Sequence, residues 1–402
     1  MTEDKSIDII IPSSLLMEPD TTRGGAIQEI DYKISLILSK YYKIVILGPY
    51  YGKYIKNKKV NSNFYIQFIE FPAIKFYPPK SINELYFGAI IRIPFCLILV
   101  LIKLIYLSKF NPRLFIVHNN ILGYFSAIFA KFLGCNTILF EGNLIPWVEP
   151  RIELENICQK VKIINRIKKK LGISICNLSA NIITQTEIIR DGMVNSGIDS
   201  NKIVVIPAGI ETDSTIKHNN KIVLSKNFIR IGFIGRLYEE KGAKLLLDVV
   251  KLAFRQLPKA RFIILGDGQL KNSFAQINNI EHIGWVPKND LYSWIAKTDI
   301  FLFFQKALGL AELEVMASGK VIIACDIGDV SRTISHLKNG MLCNANAQSY
   351  VNTIEFLCEN PHLISKLSKA SRETIEERFS WRIVGKEWVK ICKINIDDAR
   401  QE

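Results

Sequence analysis

The sequence predicts two doubly wound α/β domains, each a parallel sheet covered by helices on both faces, and three observations carry that expectation. Short apolar runs rich in β-branched residues recur along the chain, longer helical patterns separate most of them, and the alternation restarts after a polar stretch near the middle. The chain has 402 residues, 49% of them hydrophobic, which is enough for two or three compact units at roughly 150 residues each. Charged residues make up 22%, so a disordered, collagen-like or small disulfide-stapled protein is excluded.

In the first half, strands are expected at Ile7–Ile11, Lys43–Leu47, Phe64–Ile69, Leu114–Val117, Thr137–Phe140, Asn181–Thr184 and Ile203–Ile206. After the first of these, Ile27, Ile30, Ile34 and Ile37 repeat at helical spacing. Ala89–Leu107 is strongly apolar, but its uninterrupted run, Phe95–Ile102 between Arg92 and Lys103, falls far short of the roughly 20 residues that span a bilayer. A buried or interfacial helix is expected there. Cys158–Leu171 sets Lys160, Lys162, Arg166, Lys168, Lys169 and Lys170 among apolar residues. That pattern suits either a basic face on anionic lipid or a solvated face over a packed underside.

The second half repeats the plan with strands at Phe228–Phe233, Arg261–Leu265, Asn279–Ile283, Ile300–Phe304 and Val321–Ala324. Pro207 and Gly209 open a polar stretch, so the domains are drawn as 1–206 and 228–379 with a linker at 207–227. Residues 380–402 are expected to form a helix that returns to the first domain. Open α/β sheets bind ligands beyond the carboxyl ends of their strands, which makes a cleft between the domains the expected site.

Lys and Arg number 52 against 38 Asp and Glu, a net charge of +14 that favours phosphates, acidic lipid or nucleic acid. No nucleic-acid module or aromatic-basic repeat accompanies it, so nucleic acid is not an expected partner. The eight cysteines stand singly with no Cys-x-x-Cys pair, pointing to a reducing compartment and to neither a zinc site nor a redox motif. The amino terminus, MTEDKSIDIIIP, lacks the basic start and apolar core of a signal peptide, and a cytoplasmic location is expected.

Four places could do chemistry. Gly24 and Gly25 precede the first helix, where free backbone N–H groups can receive a phosphate or a sugar, although paired glycines also serve simply as loop punctuation. Arg236 follows the strand Phe228–Phe233, and Lys241 stands just before the next helix. Two cations and a helix amino terminus there would neutralise a diphosphate, unless both are surface cations paired with Glu239 or Glu240. His118 ends the strand Leu114–Val117, and Glu141 follows the strand after it.

The segments GRLYEEKG, LGDGQL, GWVPKNDLYSWIAKTDIFLF and GLAELEVMASGK, in that order from Gly235 to Lys320, resemble the donor half of the family 4 retaining glycosyltransferases. The similarity runs from Gly24 through His118 and VIPAGIE to RFSW at Arg378–Trp381, nearly the whole chain. It implies the GT-B fold, two Rossmann-like domains facing a central cleft, with the acceptor on the first and a nucleoside-diphosphate sugar on the second. It implies no cofactor and no metal, and the chain has no Asp-x-Asp to hold a cation. Residue by residue, it implies that Arg236 and Lys241 hold the phosphates, that Glu314 accepts from the ribose hydroxyls, that His118 faces the donor sugar and that Glu141 lies toward the acceptor.

One departure is sharp. The family commonly has Glu, seven residues, then Glu, whereas this chain reads KALGLAELE from Lys306 to Glu314. Lys306 thus stands where a carboxylate meets the donor sugar, and Glu312 lies about 200° round the helix from the face used by Glu314. The expected activity is transfer of a sugar to a hydroxyl acceptor, glycan or lipid-linked, in polysaccharide or glycolipid assembly, with an anionic membrane surface as a further partner. The rival reading is a catalytically silent GT-B protein that binds or scaffolds.

Overall fold

The computed structural model describes residues 6–13, 26–50, 57–70, 97–143, 146–147, 159–212, 228–277 and 280–399. They fall into two units, the first taking described residues up to Ile206 together with Gly385 onward, the second running from Pro207 to Val384.

The first unit is built on strands β1 (Ile9–Pro12), β2 (Ile44–Tyr50), β3 (Lys58–Lys59), β4 (Phe64–Glu70), β5 (Leu114–His118), β6 (Asn136–Glu141), β7 (Asn181–Thr184) and β8 (Ile203–Val205). Their order is β3-β4-β2-β1-β5-β6-β7-β8, and β1 pairs in parallel with β2 (Ile9 beside Ile44) and with β5 (Ile9 beside Leu114). Among the described residues only β3 runs antiparallel. Its two lysines carry no apolar signal and mark a charged sheet edge, which is why the sequence reading passed over it.

Helices α1 (Ala26–Leu38), α2 (residues 97–108), α3 (Ile121–Phe132), α4 (Gln159–Leu178) and α5 (Glu187–Val194) cross between the strands. Strand residues alternate between two cores. Ile10, Val45, Leu47, Phe115, Val117 and Leu139 pack against Val100 and Leu104 of α2, Ala127 and Ala130 of α3, Ile175 of α4 and Met193 of α5. The opposite face receives α1, whose Tyr32 ring lies 5.6 Å from that of Phe64, and the last helix, whose Trp388 meets Phe140 edge-on at 5.2 Å.

The second unit has strands β9 (Ile229–Ile234), β10 (Ala260–Leu265), β11 (Ile280–Gly284), β12 (Ile300–Phe303), β13 (Val321–Cys325) and β14 (Met341–Cys343) in the order β11-β10-β9-β12-β13-β14. Neighbouring strands pair in parallel throughout. β14, three residues of Met, Leu and Cys at the edge, is too short and too poor in β-branched residues to read from sequence. The helices are α6 (Ala243–Gln256), α7 (Lys271–Ala275), α8 (Lys288–Lys297), α9 (Leu310–Ala317), α10 (Val330–Thr333), α11 (Ala347–Glu359), α12 (Pro361–Arg378) and α13 (Trp381–Asp398). From Gly385 on, α13 belongs to the first unit, where Asn136 donates to the Asn395 carbonyl (2.8 Å) and Asn395 donates to Asn181 (2.8 Å).

Candidate active site

In each sheet the chain order reverses at one place, between β1 and β5 in the first unit and between β9 and β12 in the second. Loops part there and leave a crevice at the carboxyl ends of the strands. Of the residues singled out in the sequence, His118 ends β5, Arg236 and Lys241 follow β9, and Lys306 and Glu314 follow β12, while Glu141 ends β6, one strand beyond the reversal, and Gly24 and Gly25 fall outside the described residues.

In the first unit His118 closes β5 and is buried, its Nε2 2.9 Å from Oδ2 of Asp31 on α1. Burial works against the imidazolium, but the charge and hydrogen bond of Asp31 outweigh it and hold His118 above the ordinary histidine value. Nδ1 is buried without a hydrogen bond of good geometry, and the Phe140 backbone favours its protonated form. Both ring nitrogens are thus turned into the protein.

Glu141, at the end of β6, is 1% exposed. Its Oε2 accepts from Asn119 Nδ2 (2.7 Å) and Trp147 Nε1 (2.8 Å), and its Oε1 from the Asn143 N–H (2.9 Å). Burial pushes the carboxyl up, opposed by those three bonds. The carboxylate's geometry is that of a clamp on Asn119 and Trp147.

In the second unit, Arg236 follows β9 and is exposed, its guanidinium 5.8 Å from the Tyr238 ring centre. Lys241 ends a single 3₁₀ turn, and Gly242 then starts α6 at φ +77°, where an added Cβ would lie 2.3 Å from Cβ of Phe304. That close approach holds the beginning of α6 against the loop after β12. Across the chain reversal, Lys241 Nζ donates to Gln305 Oε1 at 2.6 Å. Glu239, one of the partners that a surface pairing would use, instead lies 4.0 Å from Lys244.

Gln305 Nε2 donates in turn to Glu312 Oε1 (3.0 Å), and Glu312 Oε2 accepts from the Gly309 N–H (2.9 Å), closing the first turn of α9. Two residues on, Glu314 is 6% exposed, and Lys288 of α8 reaches its Oε1 at 3.0 Å. Lys306 lies between these groups in sequence, and its carbonyl accepts from the Asp329 N–H (2.7 Å).

The sequence reading missed Asp31, Asn119, Trp147 and Lys288. Asp31 was open to detection, because it shares the α1 stripe of Ile27, Ile30 and Ile34 and is buried with Ile30 and Ile34. Nothing local to Trp147 or Lys288 announces that each meets a carboxylate.

Two parallel-sheet units, each with charged and polar side chains after its switch strands, define the GT-B class. Residues 229–360 match the family described as Glycosyl transferases group 1. The chain is 28% identical over 240 residues to an uncharacterized 41.2 kDa protein in the cps region of Klebsiella pneumoniae, covering 56% of this chain and 66% of that one. It is 26% identical over 238 residues to the poly(ribitol-phosphate) alpha-N-acetylglucosaminyltransferase of Staphylococcus aureus, covering 56% of this chain and 46% of that one. The matched stretch thus spans between about half and two thirds of the length of these relatives. Among solved structures, Anabaena HepE in complex with UDP and glucose superposes with a TM-score of 0.66 at 14% identity, covering 96% of this chain and 99% of HepE.

Proposed function

We propose that the chain is a family 4 retaining glycosyltransferase, independent of metal, that moves a sugar from a nucleoside diphosphate to a hydroxyl of a glycan or lipid-linked acceptor in polysaccharide, glycan or glycolipid assembly. The observation that carries the proposal is the placement of Arg236 just after β9 and of Lys241 just ahead of α6, beside the switch between β9 and β12. A diphosphate leaving group gains negative charge as the glycosidic bond breaks. Arg236 meets that charge with forked N–H donors and Lys241 with a point charge, both fixed before the reaction. The acceptor hydroxyl attacks on the face the diphosphate leaves, and its proton passes to the departing phosphate. Held by Asp31, His118 serves as a fixed wall at the end of β5 and not as a proton carrier, and Glu141 positions Asn119 and Trp147. HepE, of the same fold, holds UDP and glucose, which supports a nucleotide-sugar donor.

Incubating the protein with UDP-, GDP- and ADP-sugars and a panel of hydroxyl acceptors, and reading the anomeric configuration of the product by NMR, tests the proposal. Transfer with inversion, or no transfer and no hydrolysis of any donor, would overturn it. The second of these is what the scaffold reading, raised by Lys306, predicts. Glu314→Ala is expected to weaken nucleoside-diphosphate binding by roughly tenfold with a smaller change in kcat, because ribose contacts persist from ground to transition state. Calorimetry on the variant checks this, and unchanged affinity contradicts the ribose role.

Among the described residues no helix is long and apolar enough to cross a membrane. We place the protein in the cytoplasm, peripherally on the inner face of an anionic bilayer, with α2, α3 and α4 as the contact. These three helices pack on one face of the first sheet. Their outer sides expose Ile98, Ile102 and Ile105, then Phe125 and Phe132, then Ile167, and Arg166, Lys168 and Lys170 surround Ile167. Apolar insertion beside basic residues gives reversible attachment to anionic lipid. Replacing Lys168, Lys169 and Lys170 by Gln is expected to lower partitioning onto phosphatidylserine vesicles by on the order of 10²-fold. Sedimentation that is equal on neutral and anionic vesicles, and indifferent to salt, would refute the placement.

A further inference from the structure

Family 4 sequences commonly carry a carboxylate at the position of Lys306, and this chain has lost it. Gln305 and Glu312 occupy the ground between Lys241 and α9. We propose that these two residues act as positioning residues that hold the Lys241 ammonium where a diphosphate meets it. The inference rests on the diphosphate reading of Lys241 given above.

The geometry is directional. An ammonium can only donate and a carboxylate can only accept, so the amide between them has one way round: Oε1 toward Lys241 (2.6 Å) and Nε2 toward Glu312 (3.0 Å). Each end of the chain is anchored in a different element. Lys241 sits just ahead of α6, after β9, and Glu312 stands in the first turn of α9, its other oxygen fixed by the Gly309 N–H (2.9 Å). Gln305 follows β12, the neighbour of β9 across the chain reversal. The hydrogen-bonded chain therefore crosses the chain reversal and ties the loop after β9 to the loop after β12.

Glu312 is 3% exposed, and a carboxylate so deeply placed calls for a counterion. Burial pushes its carboxyl up, and the charge of Lys241 opposes that rise. Glu312 anchors the far end of the chain and Gln305 transmits the position.

A double-mutant cycle on the intact protein tests the idea, with calorimetry of UDP, GDP and ADP binding to the unmodified chain, Gln305→Leu, Lys241→Met and the pair. Gln305→Leu is expected to weaken the best-bound nucleotide roughly tenfold, and to have no further effect once Lys241 is Met. Gln305→Glu supplies the acceptor for Lys241 but needs a proton between its carboxyl and that of Glu312. It is therefore expected to restore affinity more at pH 6 than at pH 8, relative to the unmodified protein at each pH. If Lys241→Met weakens binding but Gln305→Leu does nothing, or its loss adds in full to that of Lys241→Met, the positioning role is overturned while the diphosphate reading stands. If neither variant changes affinity, the diphosphate reading itself falls and takes this inference with it. Melting curves on each variant separate these outcomes from unfolding, and Gln305→Glu, which keeps the side chain's volume, covers the case of a Leu variant that does not fold.

Discussion

Arg236→Ala and Lys241→Ala are each expected to lower the turnover of sugar transfer by about 10²-fold or more, the loss that follows removal of one preorganised donor from developing charge. Stability should respond unequally. Arg236 is exposed and lies over the face of Tyr238, so its alanine variant should melt close to the unmodified protein. Lys241 anchors Gln305 at 2.6 Å and opposes the rise that burial gives the Glu312 carboxyl, so its alanine variant should melt lower. Near-normal transfer in both variants would remove the diphosphate from this site.

The largest effect on folding is expected at Gly266. It follows β10 at φ +147°, and an added Cβ would lie 1.9 Å from the carbonyl oxygen of Gly235, the residue just before Arg236. Backbone hydrogen bonds fasten the same two loops: the Gly235 N–H donates to the Leu265 carbonyl (3.0 Å) and the Leu237 N–H to the Asp267 carbonyl (2.9 Å). Neither side can retreat without breaking this lacing. Gly266→Ala should therefore cost about 2–6 kcal/mol, combining backbone strain and overpacking at about 1–3 kcal/mol each. Gly284→Ala is the matched control, because it has φ +82° but open space around the added carbon and should cost only about 1–2 kcal/mol. Urea unfolding of the two variants checks the difference. If Gly266→Ala is no worse than the control, the two loops can part, and Arg236 is held less firmly than this geometry implies.

The strands were legible because each central one is a short apolar run buried on both faces, as in Ile229–Ile234 and Val321–Cys325. Two edge strands, Lys58–Lys59 and Met341–Cys343, were not, since they are short and carry little of that signal, whereas the edges Ile203–Val205 and Ile280–Gly284 were. Arg236 and Lys241 could be found because motif and position agree, a cation after a strand and another before a helix. The support for Lys241 could not, because Gln305 lies 64 residues away and becomes its neighbour only when β12 is laid beside β9. Helical rotation rightly separated Glu312 from Glu314, yet it left open that Glu312 would turn back on its own helix start and on Gln305. Asp31 shows the opposite case. A carboxylate on an apolar stripe is a visible breach of pattern, and its partner His118 was already under suspicion for another reason.

The placement of α13 sets an order of assembly during synthesis. Among the described residues the second unit comes from one stretch of sequence, Pro207–Val384, but the first is completed only by residues from Gly385 onward. Until these leave the ribosome, Phe140 lacks Trp388 and Asn136 and Asn181 lack Asn395. Translation at about 5–20 residues per second makes that delay on the order of 10 s. Throughout it, a largely formed parallel sheet stands with one apolar face incompletely roofed while the second unit is still being made. The first unit is thus translated first and finished last, and it is the part of the nascent chain in which a chaperone would find its binding site.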